Sequence, residues 1–241
     1  MYSDMQQLLR LPAKDYQHQV LKAVYNPNTT SLQDAIKRLC DEAVEAVKGG
    51  AVLLIVSDRE IGKELIQIPA PLSVGAIQQR LVETNLRCDA NIVVETGSAR
   101  DPHHFAVLIG LGATAVYPYL AYESLANMVS RGAISKPLRV VTANFRNGIN
   151  KGLYKIMSKM GISTISSYRC ARLFELVGIG NEVADVWFKG MVSRINGAGF
   201  AELEGDLKRF HKYAWRKSQS LDAGGFLKYK PQGEYHMYNP D

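Results

Sequence analysis

Three short apolar runs, each closed by a polar peptide, constrain this chain more than any other feature. Val52 to Val56 leads into Ser57-Asp58-Arg59, Asn91 to Val94 into Glu95-Thr96-Gly97-Ser98-Ala99-Arg100, and Ala113 to Val116 into Tyr117-Pro118-Tyr119. Each run is β-branched, only four to five residues long and followed by a helical pattern. That alternation predicts successive parallel strands joined by crossover helices, with the polar residues collected at the carboxyl edge of the sheet. In α/β folds that edge usually carries the ligand.

The helical segments carry their own start and stop signals. Ser31 with Asp34 fits a capping box, and Leu32, Ile36, Leu39, Ala43, Val44 and Val47 form one apolar face. Gly49-Gly50 stops that helix before the first run. Pro69 and Pro71 interrupt the chain, after which Val74, Ile77 and Leu81 mark a second helix; Asp101-Pro102 starts a third, with Asp capping the free N–H groups and Pro at the first helical position. Residues 1–30 lack clear periodicity, and Asn26-Pro27-Asn28 is a turn signal, so a linker-like extension is expected there. After residue 125 the texture becomes mainly helical. Ile149, Leu153, Ile156, Met157 and Met160 share one face and Lys151, Lys155 and Lys159 the opposite, solvated one. A helix is expected over Ser167 to Val177, ending at Gly178, and another on Phe200, Leu203, Leu207 and Phe210; the tail from Leu221 is turn-rich. The expected class is therefore α/β: a partial (β/α) barrel-like unit of parallel strands over 31–125, followed by a mainly helical segment over 126–241.

At 241 residues and 46% hydrophobic content the chain is long enough for a real core. A formal charge of +6 would suit an acidic partner, but Lys and Arg are scattered with no nucleic-acid motif, so no nucleic acid is expected. No apolar stretch approaches bilayer length, and MYSDMQQLLRLPAKD holds no signal-peptide core, so no membrane association and a cytoplasmic or organellar location are expected. Cys40, Cys88 and Cys170 are odd in number and widely spaced, which argues against disulfides or a metal site; Cys40 is expected to be buried.

Asp58, Arg59, Glu95, Arg100 and His104 are the residues most able to converge at the strand ends. Carboxylates and guanidinium groups there either form a buried ion-pair and cap network or hold an anionic ligand, and spacing leaves both readings open. His103 and His104, adjacent on a helix, point about 100° apart and are poorly placed for one metal. GxSxG, Walker A and HExxH sequences are absent, and Gly110 to Thr114 lies between a helix and a strand, the wrong order for a dinucleotide fingerprint. Those glycines are read as turn and packing residues, and no catalytic residue is assigned.

The run Leu54 to Arg59, the stretch from Val93 through Glu95, Gly97 and Arg100 to His103-His104, Tyr117-Pro118-Tyr119-Leu120-Ala121, and Lys151-Gly152-Leu153 leading into Met157-Ser158-Lys159-Met160-Gly161-Ile162-Ser163-Thr164 together resemble the large subunit of glutamate synthase. The resemblance continues through Ser167-Tyr168, Phe174-Glu175, Ser193-Arg194-Ile195, His211 and Gly233-Glu234-Tyr235-His236. It is to an internal part of that subunit: the later central domain and the lead-in to its FMN-binding (β/α)₈ barrel. The family makes glutamate from 2-oxoglutarate and glutamine-derived ammonia with FMN, a 3Fe-4S cluster and a nicotinamide or ferredoxin donor. The resemblance implies that the catalytic cysteine, FMN strands and cluster cysteines lie outside this segment, so no cofactor is expected within it. It implies a connector between glutaminase and FMN-barrel domains, inactive alone, with Lys159, Ser163 and Tyr168 at the boundary with the FMN barrel. Exposed apolar surface in such a segment would favour self-association. One departure stands out: the family usually has Gly-Ala-Gln after the Ser-Tyr pair, whereas this chain has Arg169 and then Cys170-Ala171-Arg172. The alternatives are a free-standing α/β domain binding a phosphate- or carboxylate-bearing ligand, and a protein-binding module.

Overall fold

A computed structural model describes residues 2–216, 224–225 and 229–240. They divide into two compact units, 1–208 and 209–241. The first unit is built on four parallel strands, β1 (His18–Lys22), β3 (Leu53–Ser57), β5 (Asn91–Glu95) and β6 (Ala115–Tyr117), in the order β1-β3-β5-β6. The three apolar runs are thus adjacent parallel strands. The register aligns Ser57 with Glu95 and Glu95 with Tyr117, which puts the three polar peptides side by side. A short antiparallel pair, β2 (Val24–Tyr25) with β4 (Ile66–Gln67), lies apart from this sheet.

Helices α3 (Leu32–Lys48), α4 (Ala70–Glu83) and α5 (Pro102–Gly110) cross between the strands, and their apolar faces bury Leu54, Val56, Ile92 and Val94. The opposite face of the sheet holds Ile55 and Val93, which pack on Met5 of α1 (Tyr2–Leu8). Crossover helices on one face, with shorter cover on the other, are the arrangement of part of a (β/α) barrel rather than of a doubly wound sheet. Among the described residues the sheet does not close.

The caps follow the sequence signals. Ser31 Oγ accepts the Asp34 amide at 3.1 Å and donates to its carboxylate at 2.7 Å. α3 ends where Gly50, at φ +94°, returns its N–H to Val47 and Ala51 bonds back to Ala46, a reversal that needs the left-handed region. Asp101 Oδ1 accepts the amides of His103 and His104 at 2.9 and 3.2 Å. Cys40 is 1% exposed on the apolar face of α3.

Two expectations need correction. Residues 1–30 show no clear periodicity and read as a linker-like extension, yet they contain β1, an edge strand of the main sheet, whose pairing to β3 across some 35 positions leaves no local periodicity to read. The helix expected over Ser167 to Val177 is only α8 (Ile165–Tyr168); the chain then turns and enters β7 (Glu175–Ile179), which pairs in parallel with β8 (Val192–Ala198) across α9 (Asn181–Trp187). Gly178, at φ +71°, lies in an irregularity of β7 and not at a helix end. In that turn Cys170 and Arg172 stand at φ +59° and +55°, a conformation that side chains with a Cβ adopt at a cost. The rest of this segment is mainly helical, with α6 (Tyr119–Ser130), α7 (Leu138–Lys159) and α10 (Phe200–Ala214). α7 buries Ile149 and Met157, while Lys151, Lys155 and Lys159 are solvated.

In the second unit Glu234 donates its amide to the Gly224 carbonyl at 2.7 Å, and His236 Nδ1 accepts the Tyr238 amide, so its Nε2–H donates to Gly225 at 2.8 Å. Of the expected turn-rich tail, residues 221–223, 226–228 and 241 lie outside the described residues.

Candidate functional site

The aligned strand ends bring Asp58, Arg59 and Glu95 together. Glu95 is 8% exposed; its Oε2 accepts the Ser57 hydroxyl at 2.6 Å and its Oε1 accepts Arg59 Nε at 2.9 Å. Arg59 extends to Glu123 of α6 at 3.1 Å and lies 4.3 Å above the Tyr119 ring. Asp58, 3% exposed, accepts the Thr96 hydroxyl at 2.5 Å, the Gly97 amide at 3.0 Å and the Tyr119 hydroxyl. The backbone ladder continues past the strands, with the Asp58 amide on the Glu95 carbonyl and the Thr96 amide on the Tyr117 carbonyl, each 3.1 Å.

Burial pushes the Asp58 carboxyl above the ordinary aspartate value, against the pull of Thr96, Gly97 and Tyr119, and the neighbouring Glu95 charge adds to the rise. Burial, then the Asp58 charge, likewise raises the Tyr119 phenol. Two carboxylates, Glu95 and Glu123, therefore share one guanidinium that also lies over a ring, while Asp58 is held by neutral donors. Such a cluster ties β3, β5 and α6 together, and its excess negative charge opposes a phosphate or carboxylate ligand.

Arg100 and His104 do not join it. The Arg100 amide donates to His104 Nδ1 at 3.3 Å, which places the imidazole proton on Nε2, 3.5 Å from Asp101 Oδ2. With both nitrogens engaged, His104 serves the start of α5. His103 packs edge-on against Phe174 at 6.1 Å. Lys159 and Ser163 are exposed at the end of α7, whereas Tyr168 is 1% exposed in a small core with Ala106 and Met157, and its hydroxyl has no partner among the described residues.

Tyr119, Thr96 and Glu123 complete the cluster; Thr96 and Tyr119 belong to the polar peptides that close the apolar runs, whereas Glu123 was not singled out from sequence. Tyr119 and Glu123 are four residues apart on α6 and so share one helix face. That spacing was the available signal, but only the pairing of β5 with β6 aims this face at Arg59.

Neither the cysteines nor the strand-end cluster suits the cofactors of the suggested family. Cys40 lies in the apolar face of α3 with its thiol pushed up to about 12 by burial, Cys88 and Cys170 are exposed on other segments, and no group of three metal-ligating side chains forms among the described residues. The strand-end cluster presents excess carboxylate where a flavin phosphate would need cations.

The family model described as glutamate synthase central domain matches residues 1–180. The glutamate synthase [NADPH] large chain of Bacillus subtilis is 36% identical over 236 residues, covering 93% of this chain and 16% of that protein. Ferredoxin-dependent glutamate synthase 1 of Arabidopsis thaliana is 41% identical over 225 residues, covering 88% and 14%. The glutamate synthase [NADH] of Schizosaccharomyces pombe is 40% identical over 214 residues, covering 86% and 10%. The chain thus spans 10–16% of the length of these relatives. Its residues, its parallel sheet and the match over most of its length agree, and the chain belongs to the glutamate synthase central domain family.

Proposed function

We propose that this chain serves as the connector of a glutamate synthase, holding glutaminase and FMN-barrel domains in register and helping to wall the passage of ammonia between them. In such an enzyme FMN and a 3Fe-4S cluster act in the neighbouring parts, and this segment contributes no catalytic group. The observation that carries the reading is the strand-end cluster: Arg59 bonds Glu95 and Glu123, Glu95 also takes the Ser57 hydroxyl, and Asp58 takes Thr96, Gly97 and Tyr119. A rigid, self-satisfied sheet edge suits a spacer, because channelling a small intermediate requires fixed geometry and exclusion of bulk water.

The test is titration of the purified chain with FMN, followed by flavin fluorescence, alongside assays of glutamine hydrolysis and glutamate formation. No saturable flavin binding and no turnover are expected, together with a stoichiometric complex when glutaminase and FMN-barrel parts of a glutamate synthase are supplied. Stoichiometric FMN binding, or turnover by the chain alone, would overturn the connector role.

A further inference from the structure

A cleft of about 580 Å³ opens beyond the end of β6, between α6 and the first turn of α7, within the size range of small-molecule sites. Tyr117, Tyr119 and Tyr122 line it, with Glu123, Arg139 and Thr142. The aromatic wall is held in place before any ligand arrives. Tyr117 and Tyr122 lie 5.9 Å apart, Phe145 backs Tyr122 edge-on at 5.7 Å, and Tyr119 is fixed by Arg59 and Asp58.

The polar groups are few and their commitments differ. Thr142 returns its hydroxyl to the Leu138 carbonyl at 3.0 Å. Glu123 gives Oε1 to Arg59, and its side chain remains 56% exposed. Arg139, also exposed, makes no ion pair or side-chain hydrogen bond among the described residues. The cleft therefore joins an apolar aromatic wall to one uncommitted cation and one carboxylate oxygen still open to a donor. A simple anion meets Glu123, and a simple cation meets Arg139; a molecule carrying both charges satisfies both.

We propose that this cleft binds a free α-amino acid with an aromatic side chain, its carboxylate on Arg139, its ammonium on Glu123 and its ring against Tyr117 and Tyr122. The site shares Tyr119 and Glu123 with the strand-end cluster, using the Glu123 oxygen that Arg59 does not take, and does not depend on the connector role.

The test is calorimetric titration of the full chain with L-phenylalanine as probe, beside 3-phenylpropanoate, which lacks the ammonium, and phenethylamine, which lacks the carboxylate. One-to-one saturable binding of L-phenylalanine is expected, with each comparator weaker by about tenfold or more, a factor equivalent to one charge-assisted contact. Arg139→Gln should weaken L-phenylalanine and 3-phenylpropanoate about tenfold and leave phenethylamine no weaker, and Glu123→Gln should weaken L-phenylalanine and phenethylamine about tenfold and leave 3-phenylpropanoate no weaker. Unliganded melting temperatures of both variants separate a lost contact from a lost fold. Absence of saturable L-phenylalanine binding up to about 10 mM, indifference to Arg139→Gln, or equal binding of 3-phenylpropanoate would overturn the proposal.

Discussion

Arg59→Ala offers the sharpest test of how the strand ends are held. Among the described residues Arg59 is the one cation bonded to Glu95, whose side chain is only 11% exposed and whose other oxygen is served by a neutral Ser57 hydroxyl. Removing the guanidinium leaves a nearly buried carboxylate with one neutral donor, which costs about 2–3 kcal/mol. Loss of the Tyr119 stacking at 4.3 Å adds about 0.5–1 kcal/mol. The Glu123 pair, 56% exposed on the acid side, adds a few tenths of a kcal/mol at most. Release of the partly desolvated guanidinium offsets some of this, so the expected loss is about 3 kcal/mol, or roughly 6–12 °C in Tm for a chain of this length. Urea unfolding of the wild type, Arg59→Ala, Glu95→Gln and the double variant would isolate the pair, with an expected coupling of about 2 kcal/mol that persists in high salt. A single-variant loss below about 1 kcal/mol with coupling under about 0.5 kcal/mol would show that the pair is solvated in solution and would refute the closed-cluster argument.

Cys170→Gly should raise stability by about 1 kcal/mol, because it relieves a side chain held at φ +59°; chemical denaturation measures it, and an unchanged midpoint would remove the strain argument. Tyr168→Phe should be neutral or stabilising by about 1 kcal/mol, since it deletes a buried hydroxyl that has no partner among the described residues; a loss in the same assay would reveal a hydrogen bond at that position. Asp58 gives a signed pH dependence. Its folded carboxyl is raised by burial, so the stability contributed by its protonated form is complete below the ordinary aspartate value of about 3.9 and is lost as pH rises through the raised folded value. The Tm of Asp58→Asn relative to wild type should therefore climb as pH rises from about 3 through the raised folded value, and a flat or falling difference would contradict burial as the dominant influence on this carboxylate.

The extent to which the cluster was legible follows from the range of each signal. Asp58, Arg59 and Glu95 were readable because each directly ends or follows an apolar run, and adjacent parallel strands bring such ends into line. Arg100 and His104 were grouped with them on the same reasoning, but the Asp101 cap turns both toward the start of α5. Tyr119 and Glu123 entered only through α6, because a helix presents a residue to the site by its packing angle, which local sequence does not state. The segment after Tyr168 was misread for a related reason: Phe174 to Val177 suits a helix or a strand equally, and its partner β8 lies beyond the intervening α9.

Amino-acid order alone determined the alternation of strands and helices, the caps at Ser31 and Asp101, the solvated lysine face of α7 and the family, because each depends on periodicity, capping or matched peptides along one stretch of chain. Tertiary structure decided that β1 completes the sheet, that Cys170 and Arg172 sit in the left-handed region, that one arginine is shared between a buried and an exposed carboxylate, and that three tyrosines wall a cleft together with Arg139. Those features depend on which distant groups meet and how far water is excluded between them, and burial and pairing are set only when the whole chain has packed.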